Sequence, residues 1–178
     1  MNSYRNAVEL RKSFNFDGEA ASFTEISKEF FDYLEAFFES VIFSATSIEA
    51  FCNVHIDDDE VYSVRKKRRT EEYRGEQIER WVSLDEKLTS IVAKKLNAKV
   101  DKSGNTWSKY KELIAMRDRL VHLKNKDRTS ASLNDETIWT FVATEKIINP
   151  PEVAVALMKL FFASATTPQW LLSLEQEL

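Results

Sequence analysis

Glycine and proline are scarce in this 178-residue chain, which has three of each. An all-β protein needs turn residues at short intervals, so this scarcity argues against a β-sandwich or barrel and favours long helices with few connections. Apolar residues make up 43 % and charged residues 30 % of the chain. That balance is typical of a globular domain with a sizeable core and not of a disordered chain.

Cysteine and histidine are scarcer still, with one cysteine and two histidines. A single cysteine excludes an intrachain disulfide framework and metal sites built on several cysteines. The composition also excludes a His-Glu-x-x-His zinc helix, and the isolated glycines exclude a phosphate loop. The acidic run from His55 to Glu60 lacks the spaced oxygens and the glycine of a calcium loop, so a solvated loop is the favoured interpretation. No metal and no cofactor are expected.

Long apolar runs are missing as well. No run reaches the roughly 18 residues that span a bilayer, and the N-terminus has no apolar core of a secretion signal. We therefore expect a cytoplasmic protein without a membrane partner. The net charge of −4 gives no overall attraction to nucleic acid, so such a contact would need a local basic patch.

The apolar periodicity predicts an all-α fold, a bundle of four main helices with short accessory helices. Residues 1–21 are expected to form an N-terminal arm with a short turn of helix, and residues 22–178 a single domain. Residues 55–73 have the composition of a polar connection, and residues 135–148 fit either a strand or a short helix. The main helices are predicted over residues 22–54, 72–96 with a break near Ser83, 106–123 and 149–165, with a last short helix from residue 167.

The first predicted helix has two adjacent apolar stripes, which indicates that neighbours enclose most of it. Cys52, on the second stripe, is expected to be a small buried hydrophobe and not a reactive thiol. Glu49 falls on the same stripe and is an acid out of place. The first stripe is Phe30, Leu34, Phe37, Val41, Ile48 and Phe51, and the second is Phe31, Phe38, Ile42, Ala45 and Cys52.

A matching anomaly lies near the end of the helix predicted over residues 106–123. Arg117 stands among apolar residues at spacings of three and four, which share one helix face. Arginine holds phosphate oxygens with a fixed fork of donors, and His122 can take or give a proton near neutral pH. Together they could perform metal-free RNA cleavage, with Asp118 orienting the ring. On an ideal helix Arg117 and His122 point about 140° apart, so a bend or a second copy would be needed.

Structural alternatives exist for the same residues. Arg117 could form a buried ion pair with Glu49, since an unpaired buried charge costs several kcal/mol. His122 could simply cap carbonyls at the helix end. The basic residues Arg65, Lys66, Lys67, Arg68, Arg69, Lys124 and Lys126 could contact RNA phosphates, or they could be a solvated connection and a favourable charge at a helix C-terminus.

The stretch Arg117-Asp118-Arg119-Leu120-Val121-His122 resembles the motif of the HEPN superfamily, which is arginine, a polar residue, three further residues and histidine. The long early helix with an acidic residue at Glu49 is similar to that family too, and the likeness covers roughly residues 22–165. The resemblance implies a HEPN-like bundle and a metal-independent ribonuclease whose cleft forms between two protomers. Arg117 and His122 would be catalytic, and Asp118 would support them.

The resemblance further implies that the chain could be a toxin or defence effector, paired with a neutralising antitoxin-type protein. Some proteins with this fold act only as dimerisation or partner-binding modules. A non-catalytic helical module is therefore the second hypothesis.

Overall fold

Helix α2, Lys28–Asn53, is the longest described helix and packs against four other helical elements. It belongs to a computed structural model that describes residues 2–12, 28–65, 69–125, 127, 137–138, 142, 148–163 and 166–177. The first predicted stripe of α2 is buried along its whole length, from Phe30 to Phe51. The second stripe is buried only in part, because Phe31 is 55 % exposed. One broad face of α2 therefore forms the centre of the core.

The N-terminal segment forms a regular helix, α1 (Asn2–Lys12), which is longer than the expected turn. It packs along α2, and the small Ala7 side chain is almost completely buried where the two helices meet. These residues thus contribute to the main core. The capping box predicted at Ser22 falls in residues 13–27, outside the described residues.

A β-hairpin replaces the predicted polar connection. Strands β1 (Val61–Arg65) and β2 (Thr70–Arg74) are antiparallel, with Tyr62 opposite Tyr73. Alternate residues on both strands are half-buried, as expected when one face of a hairpin is covered. The prediction of a connection over residues 55–73 was wrong here, as was the helix start at residue 72. The mainly helical prediction is confirmed, and the hairpin is the departure from an all-α fold.

A short helix, α3 (Glu76–Trp81), follows the hairpin directly, and a second helical segment, α4, follows after Ser83. Segment α4 consists of Leu84–Glu86, a π-helical stretch Lys87–Val92 and Ala93–Lys95. The predicted break near Ser83 is confirmed, since its Oγ accepts a hydrogen bond from the Glu86 N–H at 3.3 Å. A small second core lies beneath the hairpin and is formed by Ile56, Ile78, Val82 and Ile91, with Tyr62 and Tyr73 against it.

Lys87 ties this second core to α2. Its side chain is buried, and its Nζ donates to Asn53 Oδ1 at 3.1 Å and to the Glu79 carbonyl at 2.6 Å. Asn53 is the last residue of α2 and Glu79 belongs to α3. The lysine thus joins the two helices by hydrogen bonds.

Three further helices complete the described fold: α5 (Asn105–Val121), α6 (Pro150–Lys159) and α7 (Gln169–Gln176). Helices α5 and α6 pack on α2 and on each other, and α7 packs on α6. The predicted start of α6 is confirmed, because Asn149 Oδ1 accepts from the Glu152 N–H at 3.2 Å and Pro150 opens the helix. Most of residues 135–148 lie outside the described residues. No described helix has the length and apolar character needed to cross a membrane.

Candidate functional site

The last turn of α5 carries the motif residues. The buried face of this helix is formed by Trp107, Tyr110, Leu113 and Met116. Arg117 lies beside that face and is half-buried, whereas Asp118 and His122 are exposed. The sequence places the motif here because the apolar spacing that buries Leu113 and Met116 leaves the next positions at the edge of the core.

Arg117 is paired with its neighbour in the sequence. Its Nη1 lies 3.0 Å from Asp118 Oδ1, and the two side chains are 30 % and 55 % exposed. Glu49, the partner expected in the structural alternative, is exposed on α2. The buried Arg117–Glu49 pair was therefore a wrong prediction: Glu49 lies outside the packed face of α2, and Arg117 reaches the rim of the core instead of its interior.

Arg119 has the structural role that the sequence suggested for Arg117. Its Nη2 donates to Asp127 Oδ1 at 2.9 Å, and the Asp127 side chain is completely buried. The same carboxylate accepts from the backbone N–H groups of Lys124 at 3.0 Å and Ile138 at 2.7 Å. Burial alone would raise the pKa of the Asp127 carboxyl, but the hydrogen bonds from Arg119, Ile138 and Lys124 outweigh it and hold the pKa below its ordinary value. The sequence reasoning missed this pair, because helical spacing relates residues of one helix and Asp127 lies beyond the end of α5.

His122 is the C-terminal cap of α5. Its backbone has φ −121° and ψ 66°, so the chain leaves the helix at this residue, and its N–H still donates to the Asp118 carbonyl at 2.9 Å. The exposed ring is therefore not restricted to the direction that an ideal helix would give it. Between the described side chains of Arg117 and His122 the structure shows no hydrogen bond, and the Asp118 carboxylate contacts Arg117 and not the ring. The motif residues are thus close along one helix end without forming a closed site in a single copy.

The other predicted RNA contacts are spread over two regions. Arg65 is exposed at the end of β1, and Arg69, also exposed, pairs with Glu71 at 2.5 Å. Lys124 is exposed just after the motif. Lys66, Lys67, Arg68 and Lys126 lie outside the described residues. Of the basic run, Arg65 therefore ends β1 and Arg69 directly precedes β2, whereas Lys124 lies two residues after the motif.

The other residues considered for chemistry are Cys52 and the acidic run from His55 to Glu60, and their surroundings indicate structural roles. Burial raises the pKa of the Cys52 thiol to about 12, and this residue lies in the main core, as predicted. In the acidic run, Asp57 pairs with Lys95 at 2.5 Å. Within the part of the chain that the structure describes, no group of three or more His, Cys, Asp or Glu side chains could hold a metal ion.

Comparison of the chain with protein-family models, with curated proteins and with solved structures found no match in any of the three.

Proposed function

We propose that the protein is a metal-independent endoribonuclease of the HEPN type, with Arg117, Asp118 and His122 as its site. The observation that carries this proposal is the different use of two arginines in one helical turn. Arg119 holds a buried carboxylate, whereas Arg117 is paired with a carboxylate that is itself 55 % exposed. Because an exposed ion pair contributes little to stability, the Arg117 guanidinium can exchange Asp118 for a phosphate at small cost.

The proposed reaction needs no metal ion. The 2′-oxygen of a ribose attacks the adjacent phosphorus, the bond from phosphorus to the 5′-oxygen breaks, and the products carry a 2′,3′-cyclic phosphate and a 5′-hydroxyl. One group must take the proton of the 2′-hydroxyl and another must give a proton to the 5′-oxygen. His122 supplies one of these steps, and Arg117 stabilises the additional negative charge on the phosphorane by its fork of donors.

A homodimer is part of the proposal. The motif lies at an exposed helix end, and one copy offers a single exposed imidazole there, His122. Two motifs that face each other across a dimer cleft provide two imidazoles, one as the base and one as the acid. Lys124 lies close enough along the chain to attract the RNA backbone to such a cleft. A HEPN-like bundle, a role as toxin or defence effector and a neutralising antitoxin-type partner belong to the same proposal.

The test is cleavage of single-stranded and structured RNA in EDTA by the purified chain. Wild type should produce cyclic-phosphate ends, and both Arg117→Ala and His122→Ala should lower the rate by at least about 100-fold. Lys109→Ala, an exposed cation on the same helix, is the matched control and should keep the wild-type rate. Wild-type activity that needs added metal, or RNA left intact by wild type and variants alike, would contradict the proposal and favour the non-catalytic module.

A mixing experiment tests the dimeric site separately. Wild type and His122→Ala are mixed and allowed to exchange subunits, so that each mixed dimer keeps a single His122. If the cleft needs one imidazole from each copy, activity per wild-type subunit should fall steeply as the variant is added in excess. Activity that stays proportional to the wild-type subunits after verified exchange argues for a site within one copy.

A further inference from the structure

An apolar groove lies between α2, α6 and α7. Its volume is about 590 Å³. Its lining includes Phe43 and Ala50 from α2, Val54 directly after α2, Met158 from α6, and Trp170 and Leu174 from α7. No residue of α5 lines it, so this surface is separate from the site of Arg117 and His122.

Large apolar side chains at the groove are left in contact with water. Phe43 is 66 %, Val54 77 % and Trp170 50 % exposed. A single exposed side chain of this kind is ordinary, but three around one apolar depression form a contiguous patch, which marks an interaction surface. Burying them would contribute roughly 25 cal/mol for each Å² removed from water.

The α2 wall of the groove has a helical repeat of its own. Phe43, Ser47, Ala50 and Val54 follow at spacings of four, three and four and all line the groove. At a rise of 1.5 Å per residue this wall is about 16 Å long, which is three helical turns. A partner helix of that length can place apolar anchors at i, i+4 and i+7 along it, which is the usual way in which an amphipathic helix binds a groove.

The acidic residues of α2, α6 and α7 favour a partner with positive charge. None of the residues that line the groove is charged, but exposed acids lie within about one turn of lining residues on the same helices: Glu39 before Phe43, Glu49 before Ala50, and Glu152 after Pro151. The two basic residues of these helices are already paired, Lys28 with Asp32 at 2.6 Å and Lys159 with Glu175 at 2.5 Å. The helices that form the groove are therefore acidic overall, so an occupant with cations on its flanks is attracted and one with acids is repelled.

His55 adds one polar anchor to the apolar lining. Its Nδ1 lies 2.7 Å from the Phe51 carbonyl oxygen. Because a carbonyl oxygen only accepts hydrogen bonds, Nδ1 carries the proton, and in that tautomer Nε2 is an acceptor. A Lys or Arg side chain from the partner is a donor that can use it.

We propose that this groove docks a basic amphipathic helix of about three turns, supplied by a partner protein, with apolar anchors on one face and Lys or Arg on its flanks. A second copy of the chain fits less well. A two-fold contact through this patch would set the same acidic helices against each other. The proposal does not rest on the RNase activity.

The test uses the full chain and two labelled peptides of roughly 14 residues with identical leucines at i, i+4, i+7 and i+11. One peptide has Lys and Arg at its remaining helix-flank positions and the other has Glu. Fluorescence anisotropy should show the basic peptide binding at least tenfold more tightly, with a difference that shrinks as salt is added. Ala50→Arg, an exposed position on the groove wall, should weaken the basic peptide at least tenfold.

The control variant is Trp81→Ala, which removes a tryptophan that is 68 % exposed on α3, away from the groove. It should leave peptide binding within twofold of wild type, and thermal melting should show that both variants are folded. Several results overturn the proposal: no binding of the basic peptide, equal binding of both peptides, or binding that Ala50→Arg leaves unchanged. It is also overturned if sedimentation shows self-association that Ala50→Arg abolishes, or if the uncharged dye Nile red fills the groove and the basic peptide does not displace it.

Discussion

Arg119 Nη2 lies 2.9 Å from Asp127 Oδ1, and this carboxylate has no exposed surface. Since Asp127 also accepts the N–H groups of Lys124 and Ile138, it joins the end of α5 to two points further along the chain. The position of His122, between Arg119 and Lys124, depends on this arrangement. Arg119, which is not proposed to touch RNA, therefore supports the position of His122, which is proposed to act on it.

The first prediction separates the two arginines by stability. Arg119→Ala removes the guanidinium that donates to the buried Asp127 carboxylate and should lower the free energy of unfolding by about 3 kcal/mol. Arg117→Ala removes an exposed pair and should lower it by less than about 1 kcal/mol. Urea unfolding monitored by circular dichroism measures both. A larger loss for Arg117→Ala than for Arg119→Ala would show that the roles are reversed.

The second prediction concerns acid unfolding. The pKa of Asp127 is lower in the folded protein than its ordinary value, so the folded state favours the ionised carboxylate. Its stabilising contribution is therefore complete above the unfolded pKa of about 4 and is lost as the pH falls through the lower folded pKa. Asp127→Asn should reduce stability at pH 7 and flatten the loss of stability below about pH 4, measured by melting temperature across that range.

Asp85 is the comparison for this experiment. Burial acts to raise the pKa of its carboxyl, but the hydrogen bonds from Lys111 and Tyr110 hold the pKa below its ordinary value. It belongs to α4 and contacts the first half of α5, where Tyr110 donates to it at 2.7 Å. Asp85→Asn should remove its own part of the acid dependence, and the effects of the two variants should add, because the hydrogen bonds described for the two carboxylates come from different residues. An unchanged pH profile in Asp127→Asn would contradict the second prediction.

Local signals in the sequence predicted much of the helical fold. The start of α6 was predicted because Asn149, Pro150 and Glu152 carry the physical requirements of a helix N-terminus within four residues. The central packing of α2 followed from its apolar period. Such features are properties of one segment and need no knowledge of its neighbours.

Features that depend on distant residues were missed. The strand residues around Tyr62 and Tyr73 alternate in the way a hairpin requires, but the basic run between them has the composition of a solvated loop. Arg117 and Arg119 could not be assigned their roles, because the deciding carboxylate, Asp127, comes after the helix end. For the same reason Glu49, judged by period alone, was placed in the core although it is exposed.

The third prediction follows from the surroundings of Cys52. Burial raises the pKa of this thiol to about 12, so almost no thiolate is present in the folded protein at pH 8. We expect the native chain to resist Ellman's reagent and to react with one equivalent after unfolding in urea, since it has a single cysteine. Rapid native labelling at a rate independent of urea would show that the thiol is accessible and contradict its placement in the core.

The fourth prediction concerns Gly75, the residue that joins β2 to α3. Its φ is +41°, and a Cβ at this position would lie 2.5 Å from the Asp58 carbonyl oxygen, a backbone atom that cannot move aside easily. The Gly75 N–H also donates to the Glu60 carbonyl at 3.1 Å, and this hydrogen bond holds the Gly75 backbone close to Asp58. Gly75→Ala should therefore lower the free energy of unfolding by about 3 kcal/mol through backbone strain and the close contact together.

Gly104→Ala is the matched control. Its added Cβ would lie 3.3 Å from Asp101 Oδ2, a side-chain atom on an exposed residue that needs to shift by only a few tenths of an ångström. Gly104→Ala should lower the free energy of unfolding by less than about 1 kcal/mol. If the basic hairpin contacts RNA, Gly75→Ala should also weaken RNA binding while Gly104→Ala does not, because only the first variant disturbs the junction that positions β1 and β2. Equal stability of the two variants would mean that the turn at Gly75 relaxes freely, and the hairpin would then have no fixed orientation on α3.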